Sequence, residues 1–244
     1  MVAPNGATRG KADHPAIPLT TQEIAETAVS CRDAGADALH LHVRDDSGRH
    51  SLDAGRYREA LAALRDVLPD LPIQVSTEAA GMFDVSDQLA LLADLKPRWV
   101  SLSVREITRD PDLIARTYAT CADNGTAVQH ILYDADDARA LGNLQAKGLV
   151  QEDASVILVL GRYAANMNSE PGDLEPFIAS LPPVGSWMVC AFGRSEHRTL
   201  RAAATLGGDV RVGFENSIYR EDGTLWEDVA ASVSSLRTSL NGLN

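Results

Sequence analysis

The 244-residue sequence predicts an α/β fold, a single (β/α)8 TIM barrel spanning residues 1–244. Three observations carry this reading. Short β-branched or apolar runs alternate with amphipathic, Ala/Leu-rich stretches from end to end, the runs number eight, and no linker interrupts the series. An open doubly wound sheet would ordinarily use fewer strands or show a second domain.

The strands are expected at roughly residues 1–4, 37–43, 73–77, 98–104, 127–133, 155–161, 186–192 and 209–215, each followed by a helix. Strand one is the weak element, because only Met1 to Pro4 precede the Asn5-Gly6 turn, and it is expected to be incomplete. The first helix has a clear start: Thr20 or Thr21 can cap it, Glu23 lies in its first turn, and Ile24, Ala25, Ala28 and Val29 recur at helical spacing. Gly35 in "DAGAD" ends it.

Composition excludes several classes. No apolar run approaches the roughly 20 residues that span a bilayer, and "MVAPNGATRG" lacks the pattern of a secretory signal, so a soluble cytoplasmic protein is expected. Cys31, Cys121 and Cys190 are odd in number and far apart, which speaks for buried free thiols and against a disulfide framework or a cysteine zinc cage. A net charge of −12 without any Lys/Arg run repels nucleic acid and anionic lipid. An anionic substrate would instead need a few arginines placed inside a cleft.

In such barrels the chemistry sits at the carboxyl ends of the strands. In "ALHLHVRDDSG", His40, His42 and Arg44 lie two apart and share one face of strand two. Two imidazoles side by side in a barrel mouth suit a borderline divalent metal such as zinc; the rival reading is a pair of hydrogen-bonded core histidines. The last strand, "DVRVGFENS", puts Arg211, Gly213 and Glu215 on one face, making Glu215 the third ligand candidate, against a rim salt bridge. Two histidines and one carboxylate leave coordination positions open, as catalytic metal sites do. His14, His50, His130 and His197 stand singly and read as surface or core residues. Hydroxyls at strand ends suit substrate binding or capping: Ser76 and Thr77, then Ser101 and Ser103. Arg162 and Arg194 each follow a glycine at a strand end, where they can bind carboxylate or phosphate or remain loop charges; neither glycine belongs to a nucleotide fingerprint.

Along nearly its whole length the chain resembles the β-keto acid cleavage enzymes, whose founding activity is 3-keto-5-aminohexanoate cleavage. The resemblance runs through "NGATRGKADHPAIPLTTQEIA", "AGADALHLHVRDDSGR", "PIQVSTE", "LKPRWVSLS", "VILVLG", "SWMVCAFGR" and "GGDVRVGFENSIY", in order. It implies a metal-dependent acyltransferase barrel that condenses a β-keto acid with acetyl-CoA and releases acetoacetate and a new acyl-CoA by Claisen and retro-Claisen chemistry. It further implies a homotetramer and no redox cofactor. The family's metal site maps onto His40, His42 and Glu215, its strand-eight arginine onto Arg211, and its substrate hydroxyls onto Ser76 and Ser101. Asn5, Thr8, Thr77 and Ser103 complete the expected substrate side, with Arg162 and Arg194 on the coenzyme A side.

The departures are informative. Asn216 stands where the best-known members carry an aspartate base, and an amide cannot take that proton. Glu78, where the aminohexanoate enzyme has glycine, is then the first candidate base. Thr8 and Gln129 each replace an acidic residue, and Arg9 and Lys11 make the first loop basic. These changes favour a neutral or acidic keto acid over an amino one, although Glu78 weighs the other way. Two rivals stay open: a metal-dependent hydrolase of the amidohydrolase type, and a metal- or acyl-CoA-binding protein that has lost catalysis through Asn216.

Overall fold

The computed structural model describes residues 1–164 and 167–242. Its central sheet has seven parallel strands, taken in spatial order: β1 (Leu39–Leu41), β4 (Ile73–Ser76), β5 (Trp99–Ser103), β6 (Ala127–Leu132), β7 (Ser155–Leu160), β8 (Ser186–Ala191) and β9 (Asp209–Arg211). The eighth staves in as a single residue. Val2 makes parallel bridges to Leu39 on one side and Val212 on the other. Its N–H donates to Ala38 O (2.9 Å), His40 N–H donates to its carbonyl (2.8 Å), and Ala3 N–H reaches Val212 O (2.9 Å). The expected short first strand is thus enough to close the barrel.

Helices cover the outside. They are α1 (Thr21–Asp33), α2 (Ala54–Val67), α3 (Val85–Leu95), α5 (Pro111–Asp123), α6 (Ala135–Ala146), α7 (Leu174–Ala179), α8 (Glu196–Thr205) and α9 (Val229–Asn241), and α9 packs on α1 to complete the ring. Thr20 caps α1 in a reciprocal capping box with Glu23, as the sequence predicts. The main core, including Tyr57, Leu64, Leu92, Leu102, Leu141 and Leu200, lies between sheet and helices. A smaller apolar cluster of Ile131, Ile157, Val159, Met188, Cys190 and Phe192 fills part of the barrel interior. Among the described residues no helix is long and apolar enough to cross a membrane.

Three local features depart from the sequence expectation. Strand two breaks after Leu41, and Val43–Arg44 (β2) turns to pair antiparallel with His50–Ser51 (β3). A short helix, α4 (Val104–Ile107), follows β5 directly. The last strand ends at Arg211 rather than near residue 215, with only Val212 still bridged. Gly213 explains this early end: it adopts φ +142, and a Cβ there would lie 2.3 Å from Ala3 O. The chain therefore turns at Gly213, and Glu215 sits on a turn instead of on a strand face.

Gly213→Ala should for both reasons destabilise the protein by about 3 kcal/mol. Denaturant unfolding of the variant beside the native chain checks this, and an unchanged midpoint would show that the turn tolerates a side chain.

Candidate metal centre and active site

Interior-facing polar residues of four strands, β1, β4, β6 and β7, form a hydrogen-bonded chain. His40 Nδ1 meets Gln74 Oε1 (2.7 Å), Gln74 Nε2 donates to Gln129 Oε1 (3.0 Å), and Gln129 Nε2 donates to Ser155 Oγ (3.3 Å). Because Gln74 offers His40 an acceptor, the His40 proton resides on Nδ1 and the Nε2 lone pair faces the barrel mouth. Gln129, singled out in the sequence as a missing acid, thus serves to orient a histidine.

His42 lies one residue beyond β1, and Asn5 Nδ2 donates to its carbonyl (3.2 Å). The His42 and His40 Nε2 atoms are 3.0 Å apart, and Glu215 Oε2 stands 3.7 Å from each. One donor atom from each of these three residues lies within 4.8 Å of the others. Glu215 reaches this place because its N–H donates to Ala3 O (3.2 Å), while Gly6, at φ +62, lets the first loop pass where a Cβ would be 2.5 Å from Glu215 Cγ. Arg211 holds the other carboxylate oxygen at 3.0 Å.

Burial, and then the charge of Arg211, push His40 down to about 4; burial and the neighbouring His40 depress His42 as well. Both rings are neutral near pH 7. Burial works to raise the Glu215 carboxyl, but Arg211 and the other surrounding positive groups outweigh it and hold it below its ordinary value. Two neutral nitrogens and an ionised carboxylate therefore converge, and Glu215 Oε2 has no hydrogen-bond partner among the described residues. This donor set fits a divalent ion with open coordination positions.

Glu78 and Arg162 stand at the edge of the cluster. Glu78 Oε2 is 3.9 Å from His42 Nε2, and Oε1 pairs with Arg162 at 3.2 Å. Burial, followed by the charge of Glu215, pushes Glu78 up to about 7. A small cavity opens here, lined by His40, Ser76, Glu78, Arg162, Arg211 and Glu215 together with Ile131, Tyr133, Val159 and Phe192. Ser101 and Ser103, both buried, have hydroxyls without partners among the described residues.

Other expected residues lie elsewhere. Thr77 alternates with Ser76 along the strand, and its hydroxyl donates to Ser101 O (2.8 Å). Asn5 spends its amide on Pro18 O (3.0 Å) and His42 O, so it holds the segment that carries His42. Thr8 is exposed on the first loop. Arg194 is exposed too, with its guanidinium 5.5 Å above the Tyr219 ring. Arg44, expected on the histidine face, instead gathers the carbonyls of Ala7 (2.9 Å), Gly6, Arg9 (2.9 Å) and Gly48 (3.2 Å), because β2 turns away after Leu41. Asn216 turns its amide to Glu196 Oε1 (3.3 Å) and Arg211 O (3.1 Å).

Two residues escaped the sequence reading. His50, read as isolated, is brought by the β2–β3 hairpin to 5.1 Å from the His42 ring, and its Nε2 lies 2.7 Å from Glu78 O. Glu196 begins α8 and looks like an ordinary helix-start acid, yet it is buried; only its position one turn after Gly193 could have flagged it. His130 bonds Ser155 O through Nδ1 and stacks on Tyr118, outside the cluster.

Comparison with known proteins now decides between the open readings. Residues 1–244 match the beta-keto acid cleavage enzyme family. The chain belongs to that family. It is 31% identical over 229 residues to the 3-keto-5-aminohexanoate cleavage enzyme of Fusobacterium nucleatum, covering 90% of this chain and 82% of that one. It is 28% identical to the 3-oxoadipate:acetyl-CoA acetyltransferase of Cupriavidus necator, covering 96% and 84%. Among solved structures, apo ObcA superposes with a TM-score of 0.74 at 18% identity, covering 93% of this chain and 62% of that longer one, which shows the shared barrel fold. The resemblance read from the sequence thus holds at the level of the family.

Burial, opposed by hydrogen bonds from Gly213 and Asn216, raises Glu196 to about 8 from an ordinary 4.5, so the folded state binds a proton there that the unfolded chain has released. That group favours the fold below pH 4.5, and its contribution disappears as pH rises through 8. Relative to native, metal-free Glu196→Gln should therefore gain stability between those limits. Unfolding free energies at several pH values check this, and a pH-independent difference would contradict the assignment.

Proposed function

We propose that this β-keto acid cleavage enzyme condenses a β-keto acid of neutral, small side chain with acetyl-CoA, at a centre where His40, His42 and Glu215 hold one divalent ion, zinc by ligand type. The observation that carries the reading is the buried convergence of His40 Nε2, His42 Nε2 and the unpartnered Glu215 Oε2. Three electron-rich atoms this close repel one another unless a proton or a cation lies between them, and a divalent cation engages all three at once. When bound, the metal supplies Lewis acidity that stabilises oxyanions and acidifies the carbon between keto and carboxylate groups.

The chain's own residues do the rest. Ser76, Ser101 and Ser103 offer hydroxyls to the substrate's oxygens, and Arg211 and Arg162 balance the charges of Glu215 and Glu78. Glu78, poised near neutrality and beside the cluster, takes the proton from the α-carbon. The freed electron pair forms a bond to the acetyl carbonyl carbon and expels the coenzyme A thiolate. That thiolate then adds to the original keto carbon, the bond from this carbon to the α-carbon breaks, and Glu78 returns its proton to the α-carbon. Acetoacetate and a new acyl-CoA result, with atoms conserved. Asn216, whose amide is committed to Glu196 and Arg211 O, braces the turn rather than acting as base.

Ile131, Val159, Phe192 and Tyr133 form the rest of the cavity wall, which supports an uncharged substrate side chain. Arg194, exposed and stacked on Tyr219, is available to coenzyme A phosphates. The name of the Cupriavidus necator relative, an acetyl-CoA acetyltransferase, supports the co-substrate.

Incubating the zinc-loaded protein with acetyl-CoA and a panel of β-keto acids should yield acetoacetate and a new acyl-CoA in equal amounts by mass spectrometry, and His40→Ala should abolish both. Acetoacetate without acyl-CoA, or full turnover by His40→Ala, would refute the proposal.

Glu78→Gln should lower kcat by about 10²-fold or more. Because Glu78 must be ionised to accept a proton, native activity should fall on the acid side, with a limb at or below about 7 once a bound cation adds its own downward pull. Steady-state rates of native and variant across pH check both, and a retained acid limb in Glu78→Gln would assign it to another group.

A further inference from the structure

Glu215 differs from the two histidines in how it is held. His40 belongs to β1, and His42 follows it directly, but Glu215 hangs from a turn that pivots at Gly213, at φ +142. A carboxylate on such a turn needs an anchor, and the structure supplies one from an unrelated element. Glu196, at the start of α8, is 1% exposed, and its Oε1 accepts hydrogen bonds from Gly213 N–H (3.1 Å) and Asn216 Nδ2 (3.3 Å). These donors flank the turn on either side of Glu215. Asn216 Nδ2 also donates to Arg211 O (3.1 Å), tying the residue after Glu215 to the arginine that grips its carboxylate.

Helix geometry alone does not explain a buried acid at this place. An acid in the first turn interacts favourably with the helix dipole in solvent too, without the cost of desolvation. What burial adds is contact with the Gly213–Asn216 turn. Arg9 completes the clamp from the first loop, donating to Phe214 O (2.6 Å) and Asn216 O (3.3 Å).

We propose that Glu196, acting through Asn216 and Gly213, is a positioning residue that sets where the Glu215 carboxylate stands relative to His40 and His42. This rests on the metal reading above and adds a residue to it. Glu196 and Asn216 act as a matched pair, one accepting and one donating. Glu196→Ala removes the acceptor that Gly213 N–H and Asn216 Nδ2 share, so the turn shifts. Glu196→Gln keeps it, because an amide oxygen in the place of Oε1 still accepts from both donors.

The test measures zinc affinity by competition with a chromogenic chelator, together with the melting temperature of the metal-free protein, for native, Glu196→Ala, Glu196→Gln and His40→Ala. Glu196→Ala should weaken zinc binding by about 10-fold to 100-fold, the range seen when outer partners of ligands are changed, and Glu196→Gln should keep most of the native affinity. Native affinity in Glu196→Ala, or a Glu196→Gln protein that melts near the native temperature yet binds no more tightly than Glu196→Ala, would overturn the proposal. Should Glu196→Ala fail to fold, Asn216→Leu, which removes the donor and fills its place, carries the test: weakened zinc binding in the folded variant supports the proposal, native affinity overturns it. His40→Ala binding as tightly as native would instead overturn the ligand set, and this inference with it.

Discussion

The site is organised around one electrostatic constraint: two neutral imidazole nitrogens 3.0 Å apart must face a buried carboxylate oxygen 3.7 Å from both. Buried without water, these atoms stay this close only with a proton or a cation between them. The barrel prevents separation. Gln74, Gln129 and Ser155 fix one ring from three other strands, Asn5 and the hairpin behind His50 hold the next residue, and Arg211 with the Gly213 turn fixes the carboxylate. Rigid packing thus keeps the three atoms at a spacing that a divalent ion would fit.

The same constraint explains why so much of the interior is polar. A packed barrel interior is ordinarily filled by branched apolar side chains. Here, among the described residues, an apolar cluster around Ile157, Met188 and Cys190 shares the interior with a hydrogen-bonded chain. The chain orients His40, and side chains of both kinds line the small cavity, so one interior both builds the cluster and shapes what reaches it.

Much of this was legible in the sequence. Eight strand-like runs gave the barrel because hydrophobic periodicity survives tertiary context, and two histidines two residues apart converge wherever a strand forms. Glu215 was found for a partly different reason than expected. Alternation along a strand placed it at the mouth, whereas the structure delivers it on a turn made possible by Gly213 and the approach of Ala3. Contacts between distant segments were not legible. Glu196 meets the Gly213 turn only once α8 and β9 are packed, Arg44 leaves the histidine face because a hairpin diverts it, and Thr77 faces Ser101 O rather than the cavity. Such pairings depend on where backbone carbonyls end up, and a residue pattern along one strand carries no record of that.

The central claim concerns which atoms hold the ion, and X-ray absorption at the zinc edge of the stoichiometrically loaded protein tests it without reference to turnover. The expected spectrum shows only nitrogen and oxygen neighbours at about 2.0–2.1 Å, with outer-shell scattering from two imidazoles that drops to one in His40→Ala. Sulfur scattering at about 2.3 Å, or a shell lacking imidazole, would contradict the assignment of His40, His42 and Glu215 as the metal centre.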